Sequence, residues 1–287
     1  MKEIHSLAAS IRQKLKNLAR ERGESFQQML VNYALERVLY RLGKSRHRER
    51  FVLKGALLFR LWFELTQRPT RDADFLGFGS AEPEEFAEVF REIANMAEED
   101  GLVIDAQSVK VEDIRKAAGY PGVRVSMTAT LDGARIPVQC DIGFGDAVTP
   151  APLQQSYPTL LDMPAPVLAV YPLETVVAEK LEAIVKLAGF NSRVKDYFDL
   201  WVLVRFEHLD HSLLPVAIQA TFAHRNTALP LSLPVGLSPS FAEDRQAMWQ
   251  AFLTRSTLTA PPLAEVLDEL RTQCWPELQA AANTKEN

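Results

Sequence analysis

Cysteine occurs only twice in 287 residues, at Cys140 and Cys274. Two thiols so far apart make no disulfide framework and cannot supply a cysteine-ligated zinc site, so both read as small core residues. Histidine is scarce too: of five, only His208 and His211 lie close together, and without further ligands that pair reads as surface loop. No apolar run approaches the roughly twenty residues that span a bilayer, and the opening MKEIHSLAASIRQKLKNLARERG carries charge throughout where a signal peptide has an apolar centre. A cytoplasmic protein without a membrane role is expected. Repeats and low-complexity tracts are also missing. What remains is an ordinary composition, 47% hydrophobic, long enough to bury one large core or two smaller ones.

The net charge of −5 is unevenly spread. Residues 1–60 hold fourteen Lys/Arg against five Asp/Glu, an excess of +9 that leaves −14 for the rest. Two readings of the basic segment stand: a surface for a polyanion such as RNA, or a solvated helix face.

Apolar periodicity places two amphipathic helices at 3–22 and 25–42, with Ile4, Leu7, Ile11, Leu15 and Leu18 on one stripe and Leu30, Tyr33, Ala34, Val38 and Leu42 on the other. Ser25 stands at the second N-cap and Gly43 where a C′ glycine ends a helix. Residues 51–78 then read as a short strand, a turn at Gly55, a helix to about Leu65 and a second strand. An acidic helix follows over 82–99, with Phe86, Val89, Phe90, Ile93 and Met96 inward. Val123–Leu131 alternates cleanly, Asp132-Gly133 signals a hairpin turn, and the return strand 135–144 puts Ile136, Val138, Cys140 and Ile142 on one face. The proline-rich stretch 146–172 suits a linker, and helical patterns follow.

The chemistry concentrates at the second strand. Side chains alternate along a strand, so Asp72 and Asp74 share one face while Ala73 and Phe75 take the core face. Such a pair repels itself unless a cation intervenes, and hard oxygen ligands suit Mg²⁺ (or Mn²⁺) with substrate phosphates completing its shell. Lys54 and Gly55 at the preceding turn offer a charge and a close backbone approach for phosphate. Asp141 projects from the non-core face of the later strand, a third metal-ligand candidate whose alternative is a solvent-facing acid.

On the helix 173–188, Lys180 lies within the apolar stripe Leu173, Val176, Val177, Ile184 and Leu187, while Glu179, Glu182 and Lys186 face away. Lys180 therefore either meets a carboxylate or phosphate or extends its head to water over a packed stem. The next helix, from a cap at Ser192 to about Phe206, is apolar nearly all round and carries Asp196 and Asp199 in its first turns. One of them is a candidate partner for Lys180 or Arg193.

The run R-P-T-R-D-A-D-F, with Arg68 and Thr70 flanking the aspartates, resembles the R-x-T-x-D-x-D signature of the AbiEii/AbiGii toxin family. These are bacterial nucleotidyltransferases with a polymerase-β-type fold. A-E-K-L-E-A-I-V and N-S-R-V-K-D-Y-F-D-L resemble the later motifs of that family, a lysine on one helix and an aspartate opening the next, onto which Lys180 and Asp196 map. Ala56 follows Gly55 where the wider superfamily has serine, so no hydroxyl is offered to a phosphate there.

The resemblance implies an α/β (α+β) nucleotidyltransferase-fold mixed sheet in three parts: an N-terminal helical segment (1–46), a nucleotidyltransferase core (47–165) and a helical C-terminal domain (166–287). The implied activity is metal-dependent transfer of NMP from an NTP to an acceptor hydroxyl, on RNA such as tRNA. Asp72, Asp74 and Asp141 would hold Mg²⁺ (or Mn²⁺), and Lys180 and Asp196 would join them in catalysis. Lys54, Gly55, Ala56, Arg68, Thr70 and Lys180 would hold the nucleotide. The resemblance further implies a bacterial toxin–antitoxin or abortive-infection (phage-defence) setting with a cognate, AbiEi-like antitoxin. The alternative is a non-catalytic nucleotide- or RNA-binding regulator that keeps the fold.

Overall fold

The structure, a computed structural model, describes residues 2–63, 69–79, 82–115, 121–205 and 209–283. The expected helix end at Leu65, together with Arg68 and His208, lies outside these residues. The chain divides into two compact units, Met1–Gly145 with Leu153–Val170 and Asp146–Pro152 with Tyr171–Asn287.

The first unit opens with helices α1 (Lys2–Arg22) and α2 (Phe26–Lys44). The inward stripe of α1 is Ala8, Ile11, Leu15 and Ala19, not Leu7, which is exposed. Ser25 sits at the N-cap of α2 but makes no side-chain capping bond. Gly43 does not end that helix. It lies inside α2, where a Cβ would come within 2.5 Å of Val167 O, so its small size serves packing against a strand.

The sheet contains β1 (Phe51–Lys54), β2 (Asp72–Gly77), β3 (Leu102–Arg115), β4 (Pro121–Leu131), β5 (Ala134–Phe144), β6 (Leu153–Ser156) and β7 (Val167–Val170), in the order β3-β4-β5-β2-β1-β7-β6. β2 runs parallel to β5 and β1 parallel to β7; the other neighbours are antiparallel. Between β1 and β2 lie a 3₁₀ turn (Gly55–Leu58) and the short α3 (Phe59–Trp62). The stretch expected as linker thus contributes two strands.

The acidic helix is shorter than expected. α4 spans Pro83–Ala94, and Met96, beyond its end, is only half-buried while its carbonyl accepts from Arg41 Nε at 3.0 Å. Phe86 and Phe90 of α4 meet Phe51 edge-on at 6.0 and 5.9 Å, and Phe51 meets Phe75 at 5.7 Å. These aromatic contacts anchor β1 and β2 by one face; on the other, Lys54, Asp72 and Asp74 stand beside the buried Val52 and Leu76.

Much of the basic excess of the first segment is matched inside this unit. Arg41, buried, forks onto Asp100 at 2.6 and 3.1 Å. Lys44 pairs with Glu98, Arg46 and His47 with Glu92, Arg50 with Glu85 and Arg12 with Asp132. Lys14, Lys16, Arg20 and Arg22 of α1 remain exposed.

The second unit contains α5 (Leu173–Leu187), α6 (Val194–Val204), α7 (Leu214–His224), α8 (Pro239–Ser256) and α9 (Leu263–Asn283). Its core is aromatic at the α6–α8 contact, where Phe198 lies 6.2 Å from Trp249 and 5.9 Å from Phe252. Trp249 Nε1 donates to Pro261 O at 2.9 Å. Cys140 in the first unit and Cys274 in the second are fully buried, and burial pushes both thiols well above their ordinary range.

Candidate active site

Strand pairing in the first unit builds a row of charges. Lys54 on β1 lies opposite Asp74 on β2, Asp74 opposite Asp141 on β5, and Asp141 opposite Arg124 on β4. Paired positions point to one face of a sheet, with strands about 4.8 Å apart. Four strands therefore present Lys, Asp, Asp and Arg side by side. Asp72, two residues before Asp74, adds a third carboxylate to that face, while Ala73 and Phe75 are buried on the other.

Each acid is held differently. Asp72 Oδ1 accepts from Thr70 Oγ1 at 2.7 Å, and Gln28 Nε2 of α2 donates to Thr70 O at 2.5 Å. Thr70, assigned from sequence to nucleotide binding, here fixes the orientation of a carboxylate. Asp74 packs against Gly55, whose φ of +75° favours glycine. A Cβ on Gly55 would overlap Asp74 Oδ2 and stand 2.8 Å from Asp74 Cβ. This turn has room for a glycine alone. The neighbouring Ala56 is buried, and with α3 only four residues long, the helix-terminus argument for anion binding at the turn loses its force.

Asp141 is engaged by both oxygens. Arg124 Nε donates to Oδ1 at 2.9 Å and Nη2 to Oδ2 at 2.8 Å, and Gln139 Nε2 reaches Oδ1 at 3.3 Å. The hydrogen bond to Asp141 holds the Arg124 guanidinium above its ordinary pKa. Among the described residues no group of three or more His, Cys, Asp or Glu side chains stands ready to hold a metal ion. The chemistry of the set nevertheless fits a hard divalent cation: three carboxylates share one face, and one of them already carries a cationic stand-in, the guanidinium. In this arrangement both oxygens of Asp141 are taken by Arg124, so Asp141 could reach a cation only if Arg124 moves.

In the second unit, Lys180 is held between two buried carboxylates. Its Nζ donates to Asp196 Oδ1 at 3.2 Å and to Asp199 Oδ2 at 2.9 Å, and Arg193 Nε lies 2.7 Å from Asp196 Oδ2. The ammonium does not extend to water; both aspartates hold it. Glu182, expected to face solvent, is buried instead. Arg225 donates to Glu182 Oε2 at 3.0 Å and to Asp146 Oδ1 at 3.0 Å and lies 2.9 Å from Glu179, while Thr227 Oγ1 donates to Glu182 Oε1 at 2.6 Å. Burial alone would lower Arg225, but the carboxylates of Glu179, Asp146 and Glu182 outweigh it and hold the guanidinium raised.

Sequence reasoning missed Arg124, although its signal was present. The Asp132-Gly133 turn pairs Leu131 with Ala134, and seven positions back along each strand stand Arg124 and Asp141. Gln28 carried no comparable signal, and Arg225 lies 43 residues from Glu182 in the chain, beyond any local pattern.

A sequence model of the family described as nucleotidyl transferase AbiEii toxin, type IV TA system, matches residues 37–283. No curated protein sequence matches. Among solved structures, a candidate nucleotidyltransferase from H. pylori is 16% identical, covering 92% of this chain and 99% of its own, at a TM-score of 0.47. JHP933 from Helicobacter pylori is 15% identical, covering 91% and 94%, at 0.49. Both likenesses are too remote to carry function.

Proposed function

The chain belongs to the AbiEii nucleotidyl transferase toxin family of type IV toxin–antitoxin systems, and from that membership we propose that it moves a nucleoside monophosphate from an NTP to an acceptor hydroxyl at the Asp72/Asp74 edge. The observation that carries the reading is the row Lys54, Asp74, Asp141, Arg124 with Asp72 beside it. Three acids and two bases on one sheet face are what phosphoryl transfer asks of a protein, since its main task is to position and neutralise charge.

Thr70 and Gly55 fix the two carboxylates before substrate arrives, so little reorganisation is needed at the moment of reaction. A divalent cation, Mg²⁺ or Mn²⁺, bound by Asp72 and Asp74 would supply Lewis-acid polarisation of the phosphoryl group and lower the pKa of the acceptor hydroxyl. Lys54, buried at the end of β1, offers a fixed positive charge to phosphate oxygens. Asp141 serves as the third acid. In the second unit, Lys180 is the proposed phosphate-facing ammonium and Asp196, with Asp199, the group that orients it.

The acceptor is proposed to be RNA such as tRNA. The exposed Lys14, Lys16, Arg20 and Arg22 support that choice, whereas Arg41 of α2, buried on Asp100, does not. The family implies an antitoxin partner, and abortive infection of phage-infected cells is the proposed setting. Among the described residues no helix is long and apolar enough to cross a membrane.

Incubation with each labelled NTP, Mg²⁺ and total tRNA tests the reading. Label is expected on RNA with wild-type protein and is lost with Asp72→Ala or Lys180→Ala. Tight NTP binding with no transfer to RNA or protein under any metal would instead favour a regulator that only binds nucleotide.

A further inference from the structure

The two ends of the charge row differ. Lys54 is buried, with 7% of the residue exposed, so its position is fixed by packing. The Arg124 side chain is 37% exposed, and among the described residues its guanidinium donates only to Asp141. One counter-ion is built into the sheet; the other is held from the solvent side by a single partner.

Both oxygens of Asp141 are occupied by that fork, which is the strongest geometry a carboxylate can find in a protein side chain. The same oxygens are those a divalent cation at the Asp72/Asp74 edge would use, because Asp141 and Asp74 are direct neighbours in register. A guanidinium carries one charge spread over three nitrogens. A divalent cation carries two on a compact centre and prefers hard oxygen. Three carboxylates on one face also repel each other when no cation is near, and a chain-supplied positive charge offsets that repulsion until one arrives.

We propose that Arg124 is an exchangeable counter-ion, seated on Asp141 in the cation-free protein and displaced when a divalent cation occupies the Asp72/Asp74 edge, so that Asp141 joins the cation only as Arg124 leaves. This rests on the metal-dependent reading above. Arg124 is then a positioning residue that sets how tightly the site takes its cation.

The test is Mn²⁺ binding without nucleotide, read from the electron paramagnetic resonance signal of free Mn²⁺ in the presence of the full-length chain. Arg124→Gln removes the competitor and is expected to bind Mn²⁺ up to about fivefold tighter, the change expected when a partly exposed ion pair of about 1 kcal/mol no longer competes. In an Asp141→Asn background the same substitution is expected to change nothing, since the competed ligand is gone. Equal or weaker Mn²⁺ binding by Arg124→Gln overturns the proposal, as does an equal gain in the Asp141→Asn background. If circular dichroism shows that Arg124→Gln is unfolded, Arg124→Lys decides: it keeps the charge and loses the fork, and must still bind Mn²⁺ tighter than wild type, with unchanged binding overturning the proposal. Asp72→Asn separates the two readings. Wild-type binding that does not depend on Asp72 removes the metal site itself, whereas Asp72-dependent binding indifferent to Arg124 removes only the exchange.

Discussion

Replacing Gly55 with alanine makes two demands that can be measured apart. The first is backbone strain: φ is +75°, and a residue with a Cβ loses about 1–2 kcal/mol in the left-handed region. The second is collision, because the added Cβ would stand 2.8 Å from Asp74 Cβ where carbon atoms rest at about 3.5–4.0 Å. Relief requires Asp74 to move by about 1 Å, and a displacement of that size at a reacting centre lowers rates by about 100-fold. Gly23 is the control, since its φ is +66° but a Cβ there meets nothing within 4 Å. Gly23→Ala is therefore expected to lose about 1–2 kcal/mol in urea denaturation and Gly55→Ala at least as much, with only Gly55→Ala losing NMP transfer. Wild-type transfer by folded Gly55→Ala would refute the claim that this glycine exists to seat Asp74, and equal activity losses in both variants would reduce it to strain.

Three further outcomes follow from buried groups. Thr70→Val keeps shape but removes the bond to Asp72 Oδ1; it is expected to lose about 1 kcal/mol of stability and to lower kcat for transfer more than it raises KM, and a kcat equal to wild type in steady-state assays counts against the positioning role. Arg225→Met leaves Glu182, Glu179 and Asp146 without their shared cation and is expected to destabilise the chain by about 3–5 kcal/mol in denaturant titration, with a loss under 1 kcal/mol arguing against the network. Glu36 is buried beside Arg37, and burial pushes its carboxyl up to about 7 from 4.5. Between those values the folded chain holds a proton that the unfolded chain has released, so stability falls as pH rises through the window, by roughly 3 kcal/mol at most. Glu36→Gln should flatten that slope in melts taken from pH 4.5 to 7, and parallel profiles for the two proteins would exclude Glu36 as its source.

How much was legible depended on whether the deciding interaction was local. The two faces of β2, β4 and β5 follow from a period of two, which is why Asp72, Asp74 and Asp141 could be placed on one side before any strand order was known. β3 escaped because its alternation breaks: the pairing with β4 shifts between Asp105 and Lys110, so the buried positions change from Leu102 and Ile104 to Val109 and no single parity survives. β6 is exposed along its whole length and has no apolar signal to read. Gly43 shows the opposite failure, a strong local signal with the wrong cause: a glycine after an apolar stripe reads as a stop, and only the nearby Val167 backbone explains why a glycine stands there. Glu182 likewise faces outward on a wheel drawn for α5 alone, and Arg225 turns that outward face into an interior.

The same division explains why the site carries its own counter-ions. A sheet that sets three carboxylates on one face raises the free energy of its empty state, and the chain answers with positive charge at both ends of the row. Lys54 is fixed by a strand already needed for the core, since Phe51 and Leu53 of β1 are buried on the aromatic side. The backbone of Arg124 is equally fixed, between the buried Val123 and Val125 of β4, but its side chain is 37% exposed and reaches Asp141 from the solvent side. A half-exposed side chain can swing away without disturbing the core beneath it, and a charge buried at a strand end cannot. If Lys54 is the fixed neutraliser and Arg124 the removable one, as proposed, a Lys54→Gln variant should lose affinity for NTP where Arg124→Gln gains affinity for Mn²⁺.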